Sequence, residues 1–151
     1  MEMRGGVLGQ DNDACVQLWL DALAARDGTV NAAAVGARAH GKFTGKIIRF
    51  AILGRAVDGF ALTLDHGQGT ASLEMLAVSP QPSVRGRGRA LLEDAMLHAG
   101  NAGCSRFELL VRAGNSKAMG LYASAGLQQE GPAQPHPLGG PSMLALARSL
   151  R

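Results

Sequence analysis

The sequence predicts a mixed α/β (α+β) domain, and three observations predict it. Between Ile47 and Val78, three apolar stretches alternate with short turn sequences, the pattern of an antiparallel meander. After Arg85-Gly86-Arg87-Gly88-Arg89 the apolar period changes from that of a strand to that of a helix. From there the order is helix, strand, helix, strand, which suits helices layered on a sheet. The chain has 151 residues, no internal repeat and no linker-like segment, so residues 1–151 are expected to form a single domain around one core.

Met3 to Leu8 reads as a short first strand. Asp11-Asn12-Asp13 offers caps for a helix in which Val16, Trp19, Leu20 and Leu23 recur at helical spacing as far as Arg26, and Asp27-Gly28 stops it. Residues 29–45 are rich in Ala and Gly and give a weaker helix signal over roughly 30–39. Ile47 to Leu53 is a strand, Gly54 to Asp58 a turn region, and Gly59 to Asp65 a second strand. His66-Gly67-Gln68-Gly69 turns again, and Ala71 to Val78 is a third strand. Beyond Ser79-Pro80-Gln81-Pro82, Leu91, Leu92, Ala95, Met96 and Ala99 mark one face of a helix ending near Gly100 or Gly103. Phe107 to Val111 is a short strand. Asn115 caps a further helix whose buried face is Ala118, Leu121, Tyr122 and Ala125, with Gly126 as its stop. Pro and Gly dominate 131–141, and Met143 to Ala147 is the last strand.

Composition excludes several classes. Hydrophobic residues are 46% and charged residues 18%, a globular balance. The mean hydropathy is +0.05, and no apolar run approaches the roughly 18 residues of a membrane span. The 21 glycines have no period, which removes collagen. One Trp, one Tyr and four Phe are too few for a base-stacking sheet. The net charge of +3 is concentrated in Arg85, Arg87 and Arg89 rather than drawn out as a stripe, so a phosphate ligand fits better than a nucleic acid. Cys15 and Cys104 are far apart, with no Cys-x-x-Cys pair and no Cys/His cluster, so no metal site is expected and the thiols read as idle. Met1-Glu2-Met3-Arg4-Gly5-Gly6 has no apolar signal segment, which reads as cytoplasmic.

The most informative stretch is Leu76-Ala77-Val78, a turn, and Gly86-Arg87-Gly88 opening a helix. Glycines let a backbone approach a ligand closely, and the first turn of a helix offers unpaired N–H groups at the positive end of its dipole. With three arginines beside it, such a turn suits a pyrophosphate. It is not a dinucleotide fingerprint, because Leu91 holds the third glycine position and the preceding strands form a meander. Gly36 to Lys42 has the glycine and lysine spacing of a Walker loop, but Phe43 stands where a Ser or Thr would hold magnesium.

At this point the chain resembles the GNAT superfamily of acetyl-CoA-dependent N-acetyltransferases. Leu76-Ala77-Val78-Ser79-Pro80 is similar to the family's fourth strand and its exit, and Gly59-Phe60-Ala61-Leu62 to its third. Gly86-x-Gly88-x-x-Leu91-Leu92 resembles the pyrophosphate loop and the helix after it. Asn115, Ala118, Leu121-Tyr122 and Gly126-Leu127 resemble its closing motif. Counting without gaps from Val78 to Leu91 puts Ser83 where the family loop usually begins with Gln or Arg, and Val84 where Gly is common. A shifted register, Arg85-x-x-Gly88-x-Ala90, restores the literal pattern but shortens the loop. In either register Val84, Arg85, Gly86, Arg87, Gly88 and Arg89 supply the phosphate contacts.

The resemblance implies a mixed, mostly antiparallel central sheet flanked by helices and splayed between strands 4 and 5, with acetyl-CoA as cofactor. It implies that backbone N–H groups near Leu76, Ala77 and Val78 polarise the acetyl carbonyl, that Asn115 binds the cofactor, and that Tyr122 protonates the departing thiolate. Tyr122 is the only tyrosine and stands seven residues after Asn115. Glu74 lies in an otherwise apolar strand and is the candidate general base, with a structural ion pair as the alternative. Ribosomal and protein N-terminal acetyltransferases of this superfamily often carry a Glu where this chain has Leu110, and Glu108 is two residues earlier on the same strand face. His40, His66, His98 and His136 read as surface or turn positions. The acceptor would be a small-molecule or peptide amine, with no nucleic acid and no membrane as partner, and the resemblance allows a homodimer. A non-catalytic acyl-CoA-binding protein of the same fold is the alternative.

Overall fold

One seven-stranded sheet organises the chain, and its order is β1-β2-β3-β4-β5-β7-β6. A computed structural model describes residues 2–28, 30–80 and 86–151. The strands are β1 (Met3–Gly5), β2 (Ile47–Leu53), β3 (Gly59–Gly67), β4 (Thr70–Val78), β5 (Arg106–Arg112), β6 (Gln128–Gln129) and β7 (Met143–Ser149). The helices are α1 (Asn12–Asp27), α2 (Ala32–Lys42), α3 (Arg87–Asn101) and α4 (Ser116–Ser124). All neighbouring strands are antiparallel except β4 and β5, which run parallel because α3 carries the chain back between them. The mixed, mostly antiparallel sheet is therefore as the sequence predicts. Among the described residues no helix is long and apolar enough to cross a membrane.

Several boundaries move for local reasons. β1 stops at Gly5 rather than Leu8. Gly6 still donates to the Phe50 carbonyl at 2.7 Å, but Gln10 and Asp11 then turn back on the Val7 carbonyl. Asp11 stands at the N-cap of α1 yet makes no side-chain cap bond. Its carboxylate instead accepts from Arg4 and from the Val7 N–H. The second helix is longer than expected and is properly capped, since the Asn31 side chain accepts from the Ala34 N–H. β3 runs on through His66, which the sequence places in a turn. The turn is the pair Gln68-Gly69, both with positive φ (55° and 76°), as a two-residue hairpin with the right twist requires. β6 was not expected. It is a short edge strand that pairs with β7 after α4 ends.

The two sheet faces carry separate cores. On one face α1 and α2 bury Cys15, Val16, Ala39 and Phe43 against Phe50, Ile52, Phe60, Leu62, Met75 and Ala77. Phe43 and Phe50 meet edge to face at 5.0 Å. On the other face α3 and α4 bury Leu91, Leu92, Ala95, Ala99 and Tyr122 against Leu53, Leu73, Phe107, Leu109, Val111 and Leu146. Burial of several side chains of this size on each face, at about 25 cal/mol per Å² of apolar surface, is what makes the sheet a rigid platform.

One irregularity positions everything that follows. β3 pairs Leu62 with Met75 but Thr63 with Leu73, so Glu74 is an extra residue in β4. This is a β-bulge, which bends its strand and sharpens the local twist. On the other side, the parallel pairing of β4 with β5 ends at the neighbouring pair, Leu73 with Leu109. From Glu74 to Val78 β4 continues beside β3 only, so the sheet is splayed between strands 4 and 5.

Candidate functional site

The splay has two sides, and the expected site residues divide between them. On the α3/α4 side, Leu76 and Val78 from the unpaired half of β4 pack against the core that includes Tyr122, Leu91 and Val111. The N-terminus of α3 faces the same region. Its N-cap is Gly86, in the left-handed conformation with φ 83°, where a Cβ would meet nothing within 4 Å. Gly86 has no side chain to cap the first turn, and that turn holds no acidic residue. The first turn of α3 thus opens on a glycine N-cap at the positive end of the helix dipole, an arrangement that suits an anion. Gly88 sits where α3 presses on α4, since a Cβ there would come within 3.3 Å of the Leu121 side chain.

The two arginines of this turn are fastened rather than loose. Arg87 is 7% exposed, and its guanidinium donates to the Ser79 carbonyl, tying the exit of β4 to the start of α3. Arg89 donates to the Ser124 hydroxyl at the end of α4 and lies 3.7 Å from Glu93. Val84 and Arg85, and the choice of register that turns on Ser83, lie outside the described residues. What is described fits the diphosphate of a nucleotide: a helix N-terminus, no side chain at Gly86, and two arginine cations, one buried and one exposed, in the first turn.

Asn115 is the N-cap of α4, and its side-chain oxygen accepts from the Ala118 N–H at 3.3 Å. Among the described residues its amide nitrogen makes no hydrogen bond. Tyr122 follows on the buried face of α4 and is 8% exposed. Burial pushes its phenol up to about 12, with Arg26 pulling weakly the other way. The hydroxyl therefore stays protonated throughout the neutral range.

On the opposite side of the sheet the bulge presents Glu74. Its carboxylate accepts from the Ser72 hydroxyl, lies 3.5 Å from Lys42 Nζ, and lies 3.4 Å from His66 Nε2. Lys42 also donates to the Glu74 carbonyl at 3.3 Å, so one lysine at the end of α2 clamps both ends of this residue. Burial draws the Lys42 ammonium below its usual range, and Glu74 opposes that shift. His66 Nδ1 in turn lies 3.5 Å from Glu108, and Arg106 holds both Glu108 and Glu130. Leu110 follows Glu108 on this open face and is 54% exposed.

The structure thus brings Gly86, Arg87, Gly88, Arg89, Asn115 and Tyr122 to the α3/α4 side, beside Leu76 and Val78. Glu74 reaches the other side of the same opening, and Ala77 is buried behind it. His66 is at the surface as expected, but on strand β3 between two carboxylates rather than in a turn; the sequence drew notice to Lys42 only for a Walker-like spacing, and to Ser72 not at all. The one available signal was Glu74 itself, since a carboxylate in an apolar strand needs partners.

A family model described as "Acetyltransferase (GNAT) family" matches residues 9–127. No curated protein matches the sequence. Among solved structures, the ribosomal-protein-S18-alanine N-acetyltransferase from Escherichia coli is 21% identical with a TM-score of 0.77, over 99% of this chain and 93% of that one. The yncA protein from Salmonella typhimurium, solved with its cofactor acetyl-CoA, is 18% identical with a TM-score of 0.73, over 100% and 94%. The paia N-acetyltransferase from Thermoplasma acidophilum, in complex with coenzyme A, is 16% identical with a TM-score of 0.75, over 98% of each chain. At these identities the likeness carries the fold.

Proposed function

Because the chain belongs to the GNAT acetyltransferase family, we propose that it acts as one domain that moves an acetyl group from acetyl-CoA to a primary amine by direct attack of the amine. The observation that carries this reading is the end of β4–β5 pairing at Leu73 and Leu109, with a proton donor on one side of the opening and a carboxylate on the other. The N–H groups of Arg87, Gly88 and Arg89 would hold the diphosphate, and the Asn115 amide would donate to the cofactor beside α4. When bound, acetyl-CoA supplies a thioester carbonyl open to a neutral amine.

The protein's own residues then have separate tasks. The free edge of Leu76, Ala77 and Val78 offers backbone N–H donors to the carbonyl oxygen as charge builds on it. Tyr122 holds its proton toward the departing sulfur, and a phenol held near 12 keeps that proton until charge arrives there. Glu74 takes a proton from the incoming amine, and Lys42 and Ser72 fix its carboxylate in place. The three alternating sources (strand edge, helix α4, bulge) leave the acceptor to enter over the open face beside Leu110.

The test is calorimetry with coenzyme A and acetyl-CoA, followed by release of free thiol in the presence of an amino acid, a polyamine, an aminoglycoside and a peptide N-terminus. The expected result is binding of both nucleotides and faster thiol release with at least one amine. Binding without release would favour the non-catalytic acyl-CoA-binding reading, and absence of binding would remove both.

A further inference from the structure

We infer that His66 is a positioning residue that acts through Glu74, relaying the proton Glu74 takes from the amine to Glu108 and on to solvent; this rests on the acetyl-transfer reading above. Two bulges in one hairpin create the arrangement. Glu74 is the extra residue of β4, and His66 is the extra residue of β3, between the pairs Asp65–Ala71 and Gly67–Thr70. A regular strand would alternate these positions across the sheet, whereas each bulge re-aims its side chain. The result is an imidazole with one carboxylate at each ring nitrogen: Glu74 Oε2 at 3.4 Å from Nε2, and Glu108 Oε1 at 3.5 Å from Nδ1. Among the described residues no group of His, Cys, Asp and Glu converges as a metal site, so the linear order is not a ligand set.

His66 and Glu108 are both more exposed than Glu74. The Glu74 side chain is 20% exposed at the splay, His66 is 44% and Glu108 is 34% exposed at its outer end. Glu74 is the least exposed of the three, so the proton it accepts needs a path to bulk water. The neutral imidazole with its hydrogen on Nδ1 resolves this. Glu74 passes its proton from Oε2 to the His66 Nε2 lone pair, His66 gives its Nδ1 hydrogen to Glu108, and Glu108 releases it to water. Glu74 and Glu108 end as carboxylates, and one proton has moved from the amine to solvent. A ring rotation or water exchange returns the hydrogen of His66 to Nδ1. The other charges facing this line are Lys42 on Glu74, Arg106 on Glu108, and Asp65 with Lys46 beside His66.

The experiment compares thiol release from acetyl-CoA by the full chain, with the panel amine that wild type acetylates fastest, for His66→Gly, His66→Gln and Glu108→Gln. We expect His66→Gly to lower kcat by about tenfold to a hundredfold, with KM for the amine and calorimetric Kd for coenzyme A within about threefold. Imidazole added to the buffer should restore much of that loss. His66→Gln, which can bridge both carboxylates but cannot pass a proton, should be as slow as His66→Gly and should not respond to imidazole. Wild-type kcat in His66→Gln, or a loss in His66→Gly that imidazole leaves untouched, overturns the relay. A wild-type protein that binds coenzyme A but releases no thiol with any amine overturns the acetyl-transfer reading first, and the relay with it.

Discussion

The two halves of β4 face different demands within nine residues. Thr70–Leu73 is paired on both edges, with β3 and with β5, and behaves as the centre of a sheet. Glu74–Val78 is paired on one edge, and its other edge is free. The open half is the more apolar in sequence, with Met75, Leu76, Ala77 and Val78, yet the less buried: Ala71, Ser72 and Leu73 are buried before the bulge, and only Met75 and Ala77 from Glu74 onward. A single inserted residue separates them. The lesson is that a cleft through a sheet needs no loop: one bulge turns the strand away from its parallel neighbour, and the backbone groups so released become a free edge.

The sharpest way to break this comparison is to delete Glu74. The deletion leaves Leu73, Leu76 and Val78 on one face and Ser72, Met75 and Ala77 on the other, because only the extra residue is lost. The protein should therefore fold, with β4 regular and the opening narrowed. We expect coenzyme A binding to weaken by about a thousandfold, or about 4 kcal/mol. Glu74→Gln, with the bulge kept, should bind coenzyme A within about threefold of wild type. Calorimetry on both variants decides, and equal binding by the deletion would detach the bulge from the site.

The same strand neighbour offers a second contrast. Leu109 is the last residue of β5 paired with β4 and is 3% exposed, whereas Leu110 beside it is 54% exposed on the open face. Leu109→Ala should cost about 3 kcal/mol of stability and Leu110→Ala less than about 0.5 kcal/mol, both read by urea unfolding. A comparable loss at Leu110 would mean that this face is covered. Next in size is Tyr122→Phe, which keeps the ring in the core and removes only the hydroxyl. Turnover should fall about a hundredfold while coenzyme A binding barely changes. Because burial holds the phenol near 12, Tyr122 contributes no loss of activity below about pH 10, and any decline there comes from another group. Unchanged turnover would take the proton-donor role away from this residue.

Much of this site was readable in the sequence where the signal is local. Asn115 and Tyr122 share one short helix whose cap and period are written within ten residues, and Gly86 marks a helix start by its own conformation. The bulge left no trace. Ala71, Leu73, Met75 and Ala77 look like one uninterrupted alternation, yet Leu73 and Met75 face opposite cores. Periodicity reveals a face only when the other face is polar, and the centre of this sheet is buried on both. His66 was hidden for a related reason: its place depends on which two residues make the hairpin turn, and four consecutive turn-forming residues allowed more than one choice. Asp11 has the right residue type for a cap, but a partner seven residues away claims its carboxylate.

That last competition yields the smallest effect, and a control for the rest. Asp11 lies in the connection from β1 to α1 and has no part in the opening. Hydrogen bonds from Arg4 and from the Val7 N–H hold its carboxyl down at about 2. The sign follows from the direction of the shift. A carboxyl lowered in the folded state stabilises the protein above its ordinary value near 4, and that contribution is lost as pH falls from about 4 toward about 2. Arg4 is 46% exposed, so the pair is screened, and Asp11→Ala should cost only about 0.5–1 kcal/mol at pH 7. The gap between the variant and wild type in urea midpoint should close on acidification through that window, and coenzyme A binding at pH 7 should not move. A gap that persists at pH 2 would show that Asp11 acts through shape rather than charge. A change in coenzyme A binding would show that the two ends of the sheet are coupled, and the contrast between the halves of β4 would then no longer be local.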